Sequence, residues 1–342
     1  MTLTRRHEKV LGMVVGTHIK TGKPVGSETI AERFGQGLSS ATIRNVMHEL
    51  EDLEYVTQPH PSAGRVPSDQ GYRYYVDHLM SETKVAPHVS TLVAREYRNR
   101  GDRIECLVER TSRMLSELSV QAACVAFPNF QSLVLNRIEL TKLGKRLLLV
   151  VWVAGNGFVE NCAIEVKEEI PEAELTRVAQ LLNDELRGMF LDQIRSHLDE
   201  KIKRVTDHLR SLYGLARTIV CEGCAAFPLR RLSLEGSHHV LGQPEFQNLE
   251  KSHRLFQALE EREVLVELLQ RTLEQKGIQV LIGLEHDYEE MQDCSLVAAP
   301  YQMHNRTVGG LGVLGPKRMP YEQIVSLVDY VSRRFGEALE QW

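Results

Sequence analysis

Three side chains that can hydrogen-bond to DNA bases recur on one face of a predicted helix early in the chain. Arg44, Asn45 and His48 follow the small Ala41 at i, i+3, i+4 and i+7 spacing within residues 40–54. In the major groove an arginine can bond bidentately to guanine, and an asparagine to adenine. The face is therefore suited to reading bases. The alternative, an ordinary solvated helix face, fits this segment equally well when it is taken alone.

The opposite face of the same segment is apolar and predicts a helix packed on a core. Its apolar residues recur at helical spacing: Ile43, Val46, Met47, Leu50 and Leu53. Ser39 or Ser40 is expected to cap the first turn. Helix starts attract anions, so we expect Ser39, Ser40 and Thr42 to hold phosphates.

The flanking segments predict the elements that position this helix. Residues 4–22 form an amphipathic helix that ends in a glycine, and Ser27 begins a short second helix. A turn over residues 35–38 then leads into the third helix, the order of a helix-turn-helix. Next, residues 55–57 and 65–66 bracket a loop rich in proline, glycine and serine, which predicts a hairpin wing. The wing would bring His60, Ser62 and Arg65 to phosphates or to the minor groove.

Several runs of this sequence resemble the HrcA family of heat-inducible transcription repressors. They are Pro24–Ser27, Leu38–Asn45, Pro61–Pro67, Gly71–Asp77, Asp293–Val297 and Gly310–Tyr321. The resemblance implies a winged-helix repressor of chaperone operons that binds an inverted-repeat operator, the CIRCE element, as a homodimer. It also implies the GroEL chaperonin as a partner that keeps the repressor active.

The fold implied is α+β: a winged helix-turn-helix, a GAF-like domain and a dimerising domain inserted into that domain. The pattern beyond the head agrees, because β-prone runs over residues 122–166 resume at 278–314 after a mostly helical interruption. We therefore expect a winged-helix domain at 1–80, a helical linker at 81–118, a discontinuous GAF-like domain at 119–190 and 255–342, and the inserted dimerising domain at 191–254.

Charge predicts only modest non-specific affinity for nucleic acid. The chain carries a net charge of −5, and residues 1–80 hold nine Lys/Arg and nine Asp/Glu. Residues 1–48 are more basic, with seven basic and three acidic side chains, whereas acids cluster over residues 49–54. The start of the third helix is thus the end suited to face DNA. We expect dimerisation to supply the missing affinity, with a shallow salt dependence per subunit.

Other possible sites carry weaker signals. Residues 310–315 match G-x-G-x-x-G but lie inside a β-prone run, which argues against dinucleotide binding. Cys221 and Cys224, with His238 and His239 downstream, form half a zinc pattern at most. Tyr72, Tyr74 and Tyr75 could stack on bases, although core packing is the better interpretation. No catalytic motif is evident, so we expect neither an enzyme nor a cofactor.

Two further expectations concern the cellular location and the alternative functions. The longest apolar run, residues 147–154, is far shorter than a membrane span, and no export signal is visible, so we expect a cytoplasmic protein without membrane contact. The rival function is a ligand- or metal-sensing winged-helix regulator that acts through the GAF-like domain. A winged helix used for RNA or protein contacts is also possible, but the Arg/Asn face disfavours it.

Overall fold

The protein is an α+β protein with an N-terminal head, a sheet-based body and a layer inserted into that body. The computed structural model describes residues 3–34, 39–81, 83–98, 103–129, 132–155, 157–225, 231–260, 262–273 and 277–341. The predicted turn over residues 35–38 lies outside these ranges. Within them, no helix is long and apolar enough to cross a membrane.

The head comprises residues 3–81 and has the predicted helix-turn-helix order followed by a wing. Its elements are α1 (Arg5–Thr21), α2 (Ser27–Phe34), α3 (Ser40–Asp52), β1 (Val56–Thr57), β2 (Val66–Pro67), α4 (Asp69–Tyr74) and a π-helical turn (Tyr75–Leu79). Thr4 caps the start of α1, and Gly22 ends it in the left-handed region, at φ 65°. The apolar stripes of α1 and α3 meet in a buried core, which is why the polar face of α3 is left outside.

From the head onward the remaining elements follow in chain order: α5 (Pro87–Glu96), α6 (Ile104–Ser119), β3 (Ala122–Ala126), β4 (Leu135–Lys142), β5 (Leu147–Ala154), β6 (Val159–Glu165), α7 (Glu172–Leu186), α8 (Leu191–Arg204), α9 (Asp207–Ala225), β7 (Leu232–Glu235), α10 (Ser237–Leu241), α11 (Leu249–Glu260), α12 (Arg262–Leu273), β8 (Gln279–Ile282), β9 (Cys294–Met303), β10 (Arg306–Pro316) and α13 (Tyr321–Glu340).

The body is built on a five-stranded antiparallel sheet in the order β7-β3-β10-β9-β8. Alternate residues face opposite sides: Ala123 and Val125 share a core with α6 and α13, whereas Ala122 and Cys124 share one with α10–α12. Both faces of the sheet are covered, so its central strands read as unbroken apolar runs.

The insert, residues 132–225, forms a separate antiparallel sheet, β4-β5-β6, against which α7 and α9 pack. This corrects the expected boundaries. The strands at 135–165 do not belong to the sheet of the body, and the excursion begins before residue 135 rather than at 191. The limits of the insert follow from strand pairing: β3 pairs with β7, so the chain leaves the body sheet after β3 and returns to it at β7. The sequence had not indicated a strand at β7. Likewise α6 packs on the body sheet and is not part of a linker.

Candidate nucleic-acid interface

The recognition helix α3 is fixed at its start by a serine cap. Thr42 donates its backbone N–H to Ser39 Oγ at 3.2 Å, and the two hydroxyl oxygens lie 2.9 Å apart. Ser39 is therefore the cap of the two candidates, and Ser40 is the exposed first residue of the helix. Ile43, with the other apolar residues of its stripe, is buried. A rigid helix with a free N-terminal turn results.

The exposed face of α3 carries the three predicted base readers. Arg44, Asn45 and His48 are all solvent-exposed, and each lies one or two turns from the cap. Arg44 and His48 line a groove of about 590 Å³, whereas Asn45 lies on the same helix outside the groove lining. All three side chains are thus accessible to a large partner.

The wing pairs its two short strands in the predicted hairpin, with Val56 opposite Pro67 and Thr57 opposite Val66. His60 and Ser62 are exposed at its tip. The tip is braced by a residue that the sequence analysis did not single out. The side-chain amide of Gln58 donates to the carbonyl oxygens of Pro61 at 3.0 Å and of Ala63 at 2.9 Å. These bonds reduce the ordering that the loop would undergo on binding.

Arg65 corrects the sequence-based prediction. It is 7 % exposed, not free at the wing surface, and its guanidinium lies 2.7 Å from Glu51 and 3.3 Å from His48 Nδ1. Its backbone exchanges hydrogen bonds of 2.8 and 2.9 Å with Val25, which adds a third short segment beside the wing. Arg65 therefore joins wing, α3 and the start of α2. Glu51, an acid on α3, was the residue in the sequence that could have indicated an ion pair with Arg65.

The groove lies between the start of α2, the exposed side of α3 and the wing. Residues of all three segments line it: Val25, Gly26, Ser27, Glu28, Thr29, Arg44, Met47, His48, Gln58, Pro61, Ser62, Ala63, Gly64 and Arg65. The structure thus brings together Arg44, His48, Ser62 and Arg65 from the predicted set. Ser39, Ser40, Thr42, Asn45 and His60 are not among the groove-lining residues. Ser27 and Thr29, which the sequence did not mark as site residues, bring the first turn of α2 to the same groove.

The tyrosines of α4 pack inside the molecule. Tyr72 is 2 % exposed, and its hydroxyl lies 2.7 Å from His18 Nδ1. Tyr75 donates to Glu322 at 3.1 Å, and burial with that carboxylate raises the pKa of Tyr75 to about 12. Tyr74 is partly buried and donates to Glu8 at 2.9 Å. The packing alternative thus describes these side chains, and base stacking does not.

Charged residues of α4, none of them among the groove-lining residues, hold the head against the body. Arg73 donates to Glu285 at 2.7 Å, and Asp69 pairs with Lys317 at 2.6 Å. The backbone N–H of Leu284 also donates to Asp69 at 3.0 Å. These contacts, which we name the head–body joint, involve α4 and leave the groove open. The joint sets the direction in which α3 points relative to the body.

The other candidate sites have structural explanations. The glycines of residues 310–315 lie within β10, where a Cβ at Gly312 would meet the backbone oxygen of Val297 at 2.9 Å. Burial first, then the neighbouring thiols of Cys221 and Cys162, raise the pKa of Cys224 to about 12. No group of three or more His, Cys, Asp or Glu within the described ranges could hold a metal ion.

Comparison with known proteins adds direct evidence of family. Residues 2–79 match the family model described as "Winged helix-turn-helix transcription repressor, HrcA DNA-binding", and residues 105–325 match "HrcA protein C terminal domain". The heat-inducible transcription repressor HrcA of Pelotomaculum thermopropionicum is 37% identical over 341 residues, which are 100% of this chain and 98% of that protein. The Geobacter sulfurreducens protein of the same name is 36% identical over 343 residues, covering 99% and 98%.

One solved structure has the same fold. It is described as "Crystal structure of a hypothetical protein at 2.2 A resolution" and matches with a TM-score of 0.66. Its sequence is 24% identical, and the match covers 99% of each chain.

Proposed function

The chain belongs to the HrcA family of heat-inducible transcription repressors, and we propose that it represses heat-shock chaperone operons by binding the CIRCE inverted repeat as a dimer that GroEL keeps active. It is a DNA-binding repressor and not an enzyme. The expected setting is the cytoplasm.

The observation that carries the proposal is the composition of the exposed side of the head. Arg44 and His48 on α3, Ser62 on the wing and the first turn of α2 line one groove, while the joint to the body uses other residues, Asp69 and Arg73 of α4. In this proposal Arg44, Asn45 and His48 contact bases in the major groove. Ser39, Ser40 and Thr42 hold phosphates, and the wing contributes His60 and Ser62.

The dimer is supported by an apolar stripe on the outer side of the insert. Along β5, residues alternate between fully buried and partly exposed, and the outward set is apolar: Leu147, Leu149, Val151 and Val153. Val159 on the neighbouring β6 is 49 % exposed. We propose that a second copy covers this face, because an inverted repeat needs two heads related by a two-fold axis. Val151→Lys should then convert dimers to monomers in sedimentation velocity and weaken operator binding.

Control by GroEL is supported by the family resemblance and by the character of the head–body joint. Its ion pairs are partly exposed, and each such pair contributes at most about 1 kcal/mol. Tyr72 also packs against Tyr321 of the body, with ring centroids 6.0 Å apart. In this proposal modest heating loosens these contacts and unfolds part of the chain, so that the active fraction depends on refolding by chaperonin.

The test is binding of the full chain to a CIRCE duplex and to a scrambled duplex of equal composition, with and without GroEL, at fixed salt. Selective binding that improves with GroEL supports both parts of the proposal. Selective binding indifferent to GroEL removes the chaperonin part. A salt slope that requires ten or more phosphate contacts per subunit would contradict the modest electrostatic contribution expected from the charge pattern.

A second candidate function, ligand sensing by the body, is favoured by one cavity. A space of about 490 Å³ lies between residues 83–89, the end of α6 and the start of α13. Its lining includes Val85, Val89, Leu118, Ile324 and Leu327, with Lys84 and His88 as the basic groups. A thermal-shift screen of amphipathic anions would detect this function. A hit that also changes operator affinity would support it.

A further inference from the structure

Arg65 and His48 form a contact that fixes the chemistry of the exposed imidazole. Arg65 Nη2 lies 2.7 Å from Glu51 Oε2 and 3.3 Å from His48 Nδ1. A guanidinium N–H can only donate, so Nδ1 is the acceptor here, and the neutral ring carries its proton on Nε2. We propose that Arg65 is a positioning residue that holds His48 as an Nε2–H donor to an acceptor atom of the operator.

The exposure of the three side chains suits this arrangement. The side chain of Arg65 is 9 % exposed, that of Glu51 30 % and that of His48 58 %, so a buried cation anchors an exposed ring. Arg65 is itself fixed through its backbone by two hydrogen bonds to Val25. Glu51 Oε2 lies 3.6 Å from His48 Nδ1, which is beyond hydrogen-bond distance. The carboxylate therefore pairs with Arg65, and Nδ1 accepts its hydrogen bond from the guanidinium.

An Nε2–H donor selects what it can bind. In the major groove the available acceptors are purine N7, guanine O6 and thymine O4, whereas the amino groups of adenine and cytosine are donors and are rejected. A phosphate oxygen is an acceptor too. His48 lines the same groove as Arg44, so both side chains reach one partner. This inference rests on the proposed operator binding and adds a specific donor to it.

A double-mutant cycle in the full chain separates positioning from general support of the wing. His48→Leu removes the donor, Arg65→Met removes its anchor, and His48→Gln supplies an amide donor near the Nε2 position that needs no anchor. Each of His48→Leu and Arg65→Met should weaken operator binding about three- to tenfold, the range of one net hydrogen bond. On the His48→Gln background, Arg65→Met should change affinity less than twofold. His253→Gln, at an exposed position of α11 in the body, is the matched control and should bind as the unmodified chain does.

Duplexes that lack single acceptors identify the partner atom. A 7-deazapurine that abolishes the difference between the unmodified chain and His48→Leu identifies a purine N7. A methylphosphonate that does so identifies a phosphate oxygen. If His48→Leu binds the unmodified operator as tightly as the unmodified chain, the proposal is overturned.

Nitrogen-15 NMR of histidine-labelled full chain tests the geometry without DNA. The His48 resonance, assigned by its loss in His48→Gln, should show an unprotonated Nδ1 and a protonated Nε2, and Arg65→Met should remove this preference. A protonated Nδ1 in the unmodified neutral ring, or an equal loss from Arg65→Met on the His48→Gln background, would overturn the proposal. Failure of the unmodified chain to discriminate between operator and scrambled duplex would count against operator binding instead, and the NMR result would still decide the geometry.

Discussion

Gly64→Ala should open the wing, because the backbone of Gly64 touches the segment that precedes α2. A Cβ at this position would collide with the carbonyl oxygen of Val25 and would lie 2.8 Å from the backbone nitrogen of Gly26. Neither atom can move independently, since Val25 exchanges two backbone hydrogen bonds with Arg65, of 2.8 and 2.9 Å. The added methyl group therefore separates the wing from the start of α2.

The expected magnitude follows from those two bonds. Each contributes about 1 kcal/mol net, so their loss destabilises the closed wing by about 2 kcal/mol. That free energy corresponds to about a 30-fold change in the ratio of closed to open wing. Operator affinity should fall by up to the same factor, because only the closed wing completes the groove.

Hydrogen–deuterium exchange over residues 23–28 and 55–67 is the direct assay, together with operator binding by the same preparation. Protection of the Val25 and Arg65 amides should fall while the body is unaffected. Gly16→Ala is the matched control in the same domain: no atom lies within 4 Å of the added Cβ, and alanine favours the helix interior of α1 by up to about 1 kcal/mol. Unchanged wing exchange and operator binding within twofold for Gly64→Ala would refute the reasoning.

Three further predictions address the groove, the joint and the response to acid. Arg44→Ala should cost about 1–3 kcal/mol of operator binding and relax specificity, whereas the control Arg113→Ala, at an exposed position of α6, should not. An equal loss on scrambled DNA would reassign Arg44 to a phosphate. Arg73→Ala removes the pair with Glu285 together with the hydrogen bonds of Arg73 to Asp77 and to the carbonyl oxygen of Val280, so unfolding free energy should fall by about 1–3 kcal/mol. Small-angle scattering should report a wider range of head positions, and an unchanged profile would show that Arg73 does not restrain the head. Burial lowers the pKa of His286 to about 4, so its contribution to stability is complete above pH 6.5 and is lost as pH falls below that, by about 2 kcal/mol at pH 5. His286→Leu should flatten this slope in urea titrations, and an identical slope in both proteins would contradict the burial argument.

Most secondary structure was predictable because its signals lie within a few residues of one another. The amphipathic stripes of α1 and α3 and the serine cap at Ser39 each depend on a short window of sequence. Because both faces of the body sheet are apolar, β3, β9 and β10 are short apolar runs, and such runs could be identified as strands. The pairing of these strands could not be predicted, because an apolar run does not indicate which sheet the strand joins. The short β7 and the true start of the insert were missed for that reason.

The candidate site divides in the same way. Arg44, Asn45 and His48 could be assigned to an exposed helix face, because helical periodicity fixes which residues share a face. The burial of Arg65 could not be foreseen, because it depends on Glu51 and on the backbone of Val25, 14 and 40 positions away in the chain.

The sequence by itself determined the α+β class, the winged-helix head, the family and the face of α3 that meets solvent. The helix order, the wing and the exposed face of α3 follow from local periodicity and capping, whereas the family follows from the resemblance of several runs of the sequence to HrcA repressors. Only the tertiary structure decided that Arg65 lies beneath His48, that Tyr72 pairs with His18, and that Arg73 binds Glu285 across 212 positions of the chain. The physical reason is that a charged or polar side chain takes whichever partner the packed elements bring within about 3 Å, and packing brings together residues that no sequence window contains.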